Sequence, residues 1–141
     1  VRALTVLQPW ATCIAHHGKD IENRCWVPSP RQLRTGDRFA IHAGARWAPK
    51  HAIPFRIGDV AIDAKDVPYG CVVAVATFGG VMGGIESQSP WADGLGSWCW
   101  ILQRVVALSE PVPCRGAQGL WRLRGRPLEE VLAQLAPAPT G

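Results

Sequence analysis

The residues best suited to chemistry stand in one short run, Gly18-Lys19-Asp20-Ile21-Glu22-Asn23-Arg24-Cys25-Trp26, where carboxylates, two cations and an indole follow a glycine. Read as a strand with a period of two, Asp20, Glu22, Arg24 and Trp26 share one face, and Ile21, Asn23 and Cys25 the other. A carboxylate, a guanidinium and an indole side by side can hydrogen-bond to and stack on a flat polar heterocycle, with Lys19 at the mouth of the strand to meet an anion. An exposed strand with a cross-face ion pair would use the same residues. Acid–base work is a further use of the pair, provided that burial brings the lysine toward neutrality; Lys19, Glu22 and Arg24 are then the catalytic candidates.

The segment in front of the run must position it. Ala3-Leu4-Thr5-Val6-Leu7 reads as a short buried strand, and Pro9 can open a helix without losing a needed hydrogen bond. That helix is expected to run to about His17, with Trp10, Ile14 and His17 on one stripe and Gly18 as a left-handed cap. Strand, helix, glycine cap and polar strand therefore follow in order.

Five ordered blocks carry a family resemblance: A-L-T-V-L-Q-P-W-A-T, G-K-D-I-E-N-R-C-W, F-A-I-H-A-G, S-P-W with G-S-W-C-W, and P-V-P-C-R-G-A-Q-G-L-W-R-L. Together, from Ala3 to about Leu123, they resemble an ASCH domain of the PUA-like superfamily. The resemblance implies an α+β fold: a small mixed β-barrel with a helix packed across its opening, short peripheral helices, and a cleft beside that helix. It also implies a role with nucleic acid, because PUA-like domains commonly bind RNA or modified bases. Some relatives are amidohydrolases that deacylate cytidine with a lysine, a threonine three residues later and a distant glutamate. This chain keeps the lysine as Lys19 but has Glu22 in the threonine's place, which removes that hydroxyl. Other relatives are ribonucleases acting on single strands, and the family name, taken from a coactivator, suggests protein interaction in transcription as a third use.

Length and composition set the bounds. A chain of 141 residues, 48% apolar and 18% charged, suits one domain with a real core, expected over residues 1–135 with a frayed tail at 136–141. No apolar stretch reaches spanning length, so no membrane role is expected, and the location expected is cytoplasmic. Five cysteines without a C-x-x-C pair read as buried thiols in a reducing compartment, and Cys25 is placed on the packed face by parity. No metal and no cofactor are expected. Of the basic and acidic residues, positions 1–56 hold nine against three, 57–103 one against five, and 104–141 five against three. If barrel closure brings the ends together, one side becomes cationic and can attract phosphate.

Further along, Arg38–Gly44 alternates as a strand that carries His42, either a satisfied strand histidine or a hydrogen-bonding group near the cleft. Residues 45–68 read as an irregular insertion, with a broken helix from Ala45 to about Arg56. Tyr69–Phe78 reads as a central strand. Ser89-Pro90-Trp91 lies in a Gly-, Ser- and Asp-rich loop, where Trp91 is a hydrophobic peg or a stacking platform. Trp98 and Trp100 share a strand face, for the core or for bases. Val105–Val112 reads as one more strand, Arg115 sits in a glycine-flanked turn, and Leu120–Leu123 is the closing strand. A last helix opens at Pro127, with Glu129 and Glu130 in its first turn.

The leading expectation is a binding module for single-stranded RNA or a modified nucleoside, a cytosine derivative by preference. Trp10, Lys19, Glu22, Arg24, Trp26, His42, Trp91 and Arg115 are its candidate contacts, and Lys19 meets phosphate. On this reading, alanine at Glu22 and Arg24 abolishes binding and leaves the thermal midpoint nearly intact.

Overall fold

The structure, a computed structural model, describes residues 1–94 and 96–137; the terminal positions 138–141 of the expected tail lie outside the described residues. Among the described residues eight strands form: β1 (Arg2–Gln8), β2 (Ile21–Arg24), β3 (Arg38–Trp47), β4 (Phe55–Ile57), β5 (Val60–Ile62), β6 (Cys71–Gly83), β7 (Trp98–Pro113) and β8 (Leu120–Arg122). Two helices, α1 (Trp10–His16) and α2 (Gly125–Leu135), and a 3-10 turn at Ala64–Asp66 complete the fold.

Six strands make one sheet in the order β2-β7-β6-β3-β1-β8, curled into a half-barrel, and β4 pairs with β5 as a separate hairpin. The sheet is mixed, because β1 runs parallel to β3 while the other neighbours are antiparallel. Helix α1 packs on the concave side against β1, β3, β6 and β7. There Leu4, Val6, Ala11, Ile14, Phe39, Ile41, Val73 and Trp100 form the larger core. Helix α2 covers the convex side, where Val131 is fully buried among Ala3, Ala40, Val72, Val75 and Leu108. With both faces covered, β6 is buried at every residue from Cys71 to Phe78, as its unbroken apolar run requires.

Local chemistry explains the start of α1. Gln8 is fully buried; its Oε1 accepts from the Thr12 N–H at 2.9 Å and its Nε2 donates to the Pro68 carbonyl at 2.8 Å. The side chain thus satisfies one of the helix's free N–H groups and ties the helix to the segment before β6. The helix stops at His16, and Gly18 takes φ +72°, the left-handed value that its position was expected to need.

Four expectations are corrected here. No helix forms between Ala45 and Arg56: β3 continues to Trp47, and beyond it the prolines leave only turns and the β4–β5 hairpin. The two strands expected on either side of Arg104 are one strand of 16 residues, in which Arg104 at φ +46° sits in a bulge that shifts the register against β6. Helix α2 starts at Gly125, two residues before Pro127, so Glu129 and Glu130 fall beyond its first turn, and Glu130 pairs with Arg126 at 3.0 Å. Cys25 is exposed rather than packed, because β2 ends at Arg24 and the chain bends there. Trp98 and Trp100 divide: Trp100 is fully buried in the core, its Nε1 donating to the Trp26 carbonyl at 3.0 Å, while Trp98, at the strand's end, is exposed.

Candidate functional site

Among the described residues strand β2 pairs only with β7, setting Glu22 opposite Trp100 and Arg24 opposite Trp98. Its other flank closes through a side chain. One Arg24 Nη donates to the Thr5 carbonyl of β1 at 2.9 Å, and the same guanidinium grips Glu22 Oε2 through Nε at 3.0 Å and Nη at 2.9 Å. Arg24 therefore ties the edge of the half-barrel back onto its far side.

Lys19 approaches the same carboxylate from the opposite direction. Its Nζ donates to the Ile21 carbonyl at 2.6 Å and stands 3.6 Å from Glu22 Oε1. The side chain is only 3% exposed. Burial pulls the Lys19 pKa below the ordinary lysine value, with the Glu22 carboxylate opposing the shift. Nearby Cys13 is pushed up to about 11 by burial, against the opposing pull of Lys19, so it is a thiol at neutral pH and no nucleophile.

Two indoles cover the ammonium. Trp10, the first residue of α1, has its ring centroid 5.7 Å from Nζ, and Trp91 has its centroid 5.8 Å away. Trp10 is braced edge-on by His51 at 4.9 Å and Phe55 at 5.0 Å. Trp91 is held by its main chain: Asn23 Nδ2 donates to the Trp91 carbonyl at 2.9 Å, and Asn23 Oδ1 accepts from the Asp93 N–H at 3.2 Å. Ser89 adds a hydrogen bond to Asp20. The indole itself stays outside the core cluster and faces a cleft of about 320 Å³, lined also by Glu22, His51, Ala92 and Asp93. That volume lies at the small end of the range for small-molecule clefts.

The candidates of the sequence reading thus fall into three places. Trp10, Lys19, Glu22 and Trp91 meet in the cleft. Arg24 and Trp26 line a shallower groove that shares Trp10, Glu22 and Asn23 with it, and Trp26 packs edge-on against Trp100 at 4.9 Å, a wall more than a platform. His42 and Arg115 line a different cavity with Thr5 and Gly116. His51, Asn23 and Asp93 were missed. Parity assigns Asn23 to the face away from Glu22, and nothing local announces that a distant loop will dock on it.

His42 is a satisfied strand histidine. Nδ1 lies 3.1 Å from Thr5 Oγ1, Nε2 lies 2.8 Å from the Cys114 carbonyl, and Trp121 Nε1 donates to the same Thr5 hydroxyl at 3.1 Å. This chain of bonds fits a neutral ring with its proton on Nε2. A Cβ on Gly116 would stand 2.6 Å from both His42 Cε1 and Thr5 Oγ1, so only bare backbone can lie over the pair. Burial lowers the His42 pKa, with the Cys114 carbonyl opposing. The unfolded ring therefore binds a proton before the folded one does, and stability falls as pH drops through about 6.5 toward the lower folded value. Urea midpoints at about pH 7 and about pH 5.5 should show this loss, and His42→Gln should reduce it.

No group of three His, Cys, Asp or Glu among the described residues is placed to hold a metal, and no helix among them is long and apolar enough to cross a membrane. No protein-family model matches the chain, and no curated protein does. Solved structures do. The crystal structure of ASCH from Zymomonas mobilis, and those of two single-residue variants of it, superpose with TM-scores of 0.57 at 14% identity. They cover 94% of this chain and 93–96% of their own. The chain has the ASCH fold. Identity this low carries the architecture alone, so the chemistry of the cleft rests on the residues found in it.

Proposed function

We propose that the cleft captures the planar base of a nucleoside, free or within single-stranded RNA, with a cytosine derivative as the best fit. The observation that carries this reading is the pair of indoles standing over one buried ammonium, with a carboxylate at the floor. Trp91 and Trp10 supply aromatic faces for the base. Arg24 occupies Glu22 Oε2, which leaves Oε1, only loosely approached by Lys19, to accept from an exocyclic amine. The remaining Lys19 donor suits a ring carbonyl. In this arrangement Lys19 serves the base rather than the phosphate. Uracil would set a carbonyl against the carboxylate and bind more weakly.

Titration of cytidine, uridine and a short unstructured RNA, followed by tryptophan fluorescence, tests the proposal. Trp91→Ala is expected to weaken cytidine binding about 5- to 150-fold, the worth of one base stack. A variant that titrates like its parent would remove base capture from this cleft.

The lowered Lys19 pKa favours a second reading, hydrolysis of acylated cytidine or of single-stranded RNA. A lysine that gives up its proton more readily than usual can take one from an attacking water, and Glu22 and Asp93 line the same cleft. Incubation with acylated cytidine and with RNA separates the readings, because a binder leaves both intact.

A further inference from the structure

We infer that the cavity lined by His42 and Arg115 is a second ligand site, built to take a small organic monocarboxylate with a compact apolar body, such as an aromatic or branched-chain acid. Strand parity puts it on the face of the sheet that α2 covers. Ala3 on β1 is level with Ala40 on β3, both in the core under α2, and two residues further on Thr5 is level with His42. At that level the roof is no longer α2 but the 114–118 segment between β7 and β8, with Gly116 lying directly on Thr5 and His42. The hollow there measures about 490 Å³, within the range of small-molecule sites.

The floor offers a ligand little polar contact, because its polar groups already hold one another. Thr5 Oγ1 accepts from the Trp121 indole and faces His42 Nδ1, and His42 Nε2 is taken by the Cys114 carbonyl. The Cys114 N–H donates to the Gly70 carbonyl at 3.1 Å, so both main-chain groups of that residue fasten the roof and the cavity is preformed. Gly44, Ala45, Gly70, Gly116 and Ala117 line the rest with methyl groups and bare backbone. Such a surface suits an apolar body.

Arg115 departs from this pattern. It lines the cavity, is exposed, and among the described residues forms no ion pair. No Asp or Glu lines the cavity beside it among the described residues. A guanidinium is a planar fork of donors that matches the two oxygens of a carboxylate. The floor adds no second cation, since the bonds of His42 fit a neutral ring, so one negative charge is what the site can balance. A single cation over an apolar floor therefore suits one carboxylate better than a chain of phosphates. The site also shares no lining residue with the Lys19 cleft, so filling it does not require base capture.

The test uses benzoate, titrated to about 20 mM and followed by the Trp121 indole N–H resonance, assigned through Trp121→Phe. That N–H ends on the Thr5 hydroxyl at the cavity floor, and a bound aromatic ring should shift it in a saturable way. Arg115→Gln should weaken benzoate binding about 10- to 150-fold, the worth of a hydrogen-bonded charge. Benzamide, of the same shape without the charge, should bind the parent as poorly as benzoate binds this variant. Ala117→Asp, at an exposed position on the wall, should act in the same direction by repulsion. Trp91→Ala should leave benzoate binding unchanged and Arg115→Gln should leave cytidine binding unchanged, so failure here and failure of base capture are distinguishable. Absence of a saturable shift would overturn the inference, as would equal binding of benzoate by Arg115→Gln and the parent, or of benzamide and benzoate by the parent. So would loss of benzoate binding in Trp91→Ala, which would assign the acid to the Lys19 cleft.

Discussion

Glu22→Ala should lower the thermal midpoint by roughly 10–20 °C, measured by calorimetry at neutral pH. The carboxylate is 8% exposed and stands between two cations, Lys19 at 3.6 Å and the Arg24 guanidinium at 2.9 Å. Removing one partner of a buried ionic cluster leaves the remaining charge uncompensated, at about 3–5 kcal/mol. For a chain of this size each kcal/mol shifts the midpoint by about 3–5 °C. Arg24→Ala should also destabilise, because it breaks the bond to the Thr5 carbonyl that ties β2 to β1. Both outcomes reverse the expectation, drawn from sequence, that alanine at these positions would spare stability. An exposed strand would have spared it.

The loss at Glu22 should also depend on pH in a stated direction. Burial already holds the Lys19 pKa below its ordinary value, and Glu22 is the first of the groups that oppose this. Without the carboxylate the folded pKa falls further, while the unfolded lysine keeps its proton up to about 10.4. The unfolded state then binds more protons than the folded one, and stability rises with pH over that window. The deficit of Glu22→Ala relative to the parent should therefore narrow as the pH is raised from neutrality toward about 10.4, the unfolded value. A constant deficit would mean that the lost interaction is packing rather than charge.

How much of this was legible in the sequence depends on whether the deciding interaction is local. Strand, helix and glycine cap from Ala3 to Gly18 are local, and the hydrophobic run from Cys71 to Phe78 could only be an interior strand. The fold class and the resemblance to ASCH domains followed from such segments and their order. The Arg104 bulge was not legible, because a positive φ at arginine has no composition signal and is imposed by the register of β6 against β7. Period-two parity separated Asn23 from Glu22, yet a loop some 70 residues later folds over the strand's end so that both meet the cleft. His42 shows the same limit from the other side: its alternation was read correctly, but the parallel pairing of β1 and β3 delivers it to Thr5 and the 114–118 segment. Tertiary placement decides which alternating face is a site.

Lys19→Met separates the site from the scaffold most sharply. Methionine matches the lysine stem in length and needs no hydration, and Glu22 keeps Arg24 as its partner, so no lone charge is left behind. The lost donor to the Ile21 carbonyl costs about 1 kcal/mol, which relief of the buried ammonium offsets. The midpoint should stay within a few degrees of the parent. Function should not survive: loss of a charged donor to the base weakens nucleoside binding about 10- to 150-fold, and loss of a proton acceptor lowers any hydrolysis about 10²- to 10⁴-fold. Calorimetry with a cytidine titration and a deacylation assay on one preparation reads all three quantities. A stable variant that still binds and reacts like its parent would show that the ammonium beneath the two indoles is scaffold.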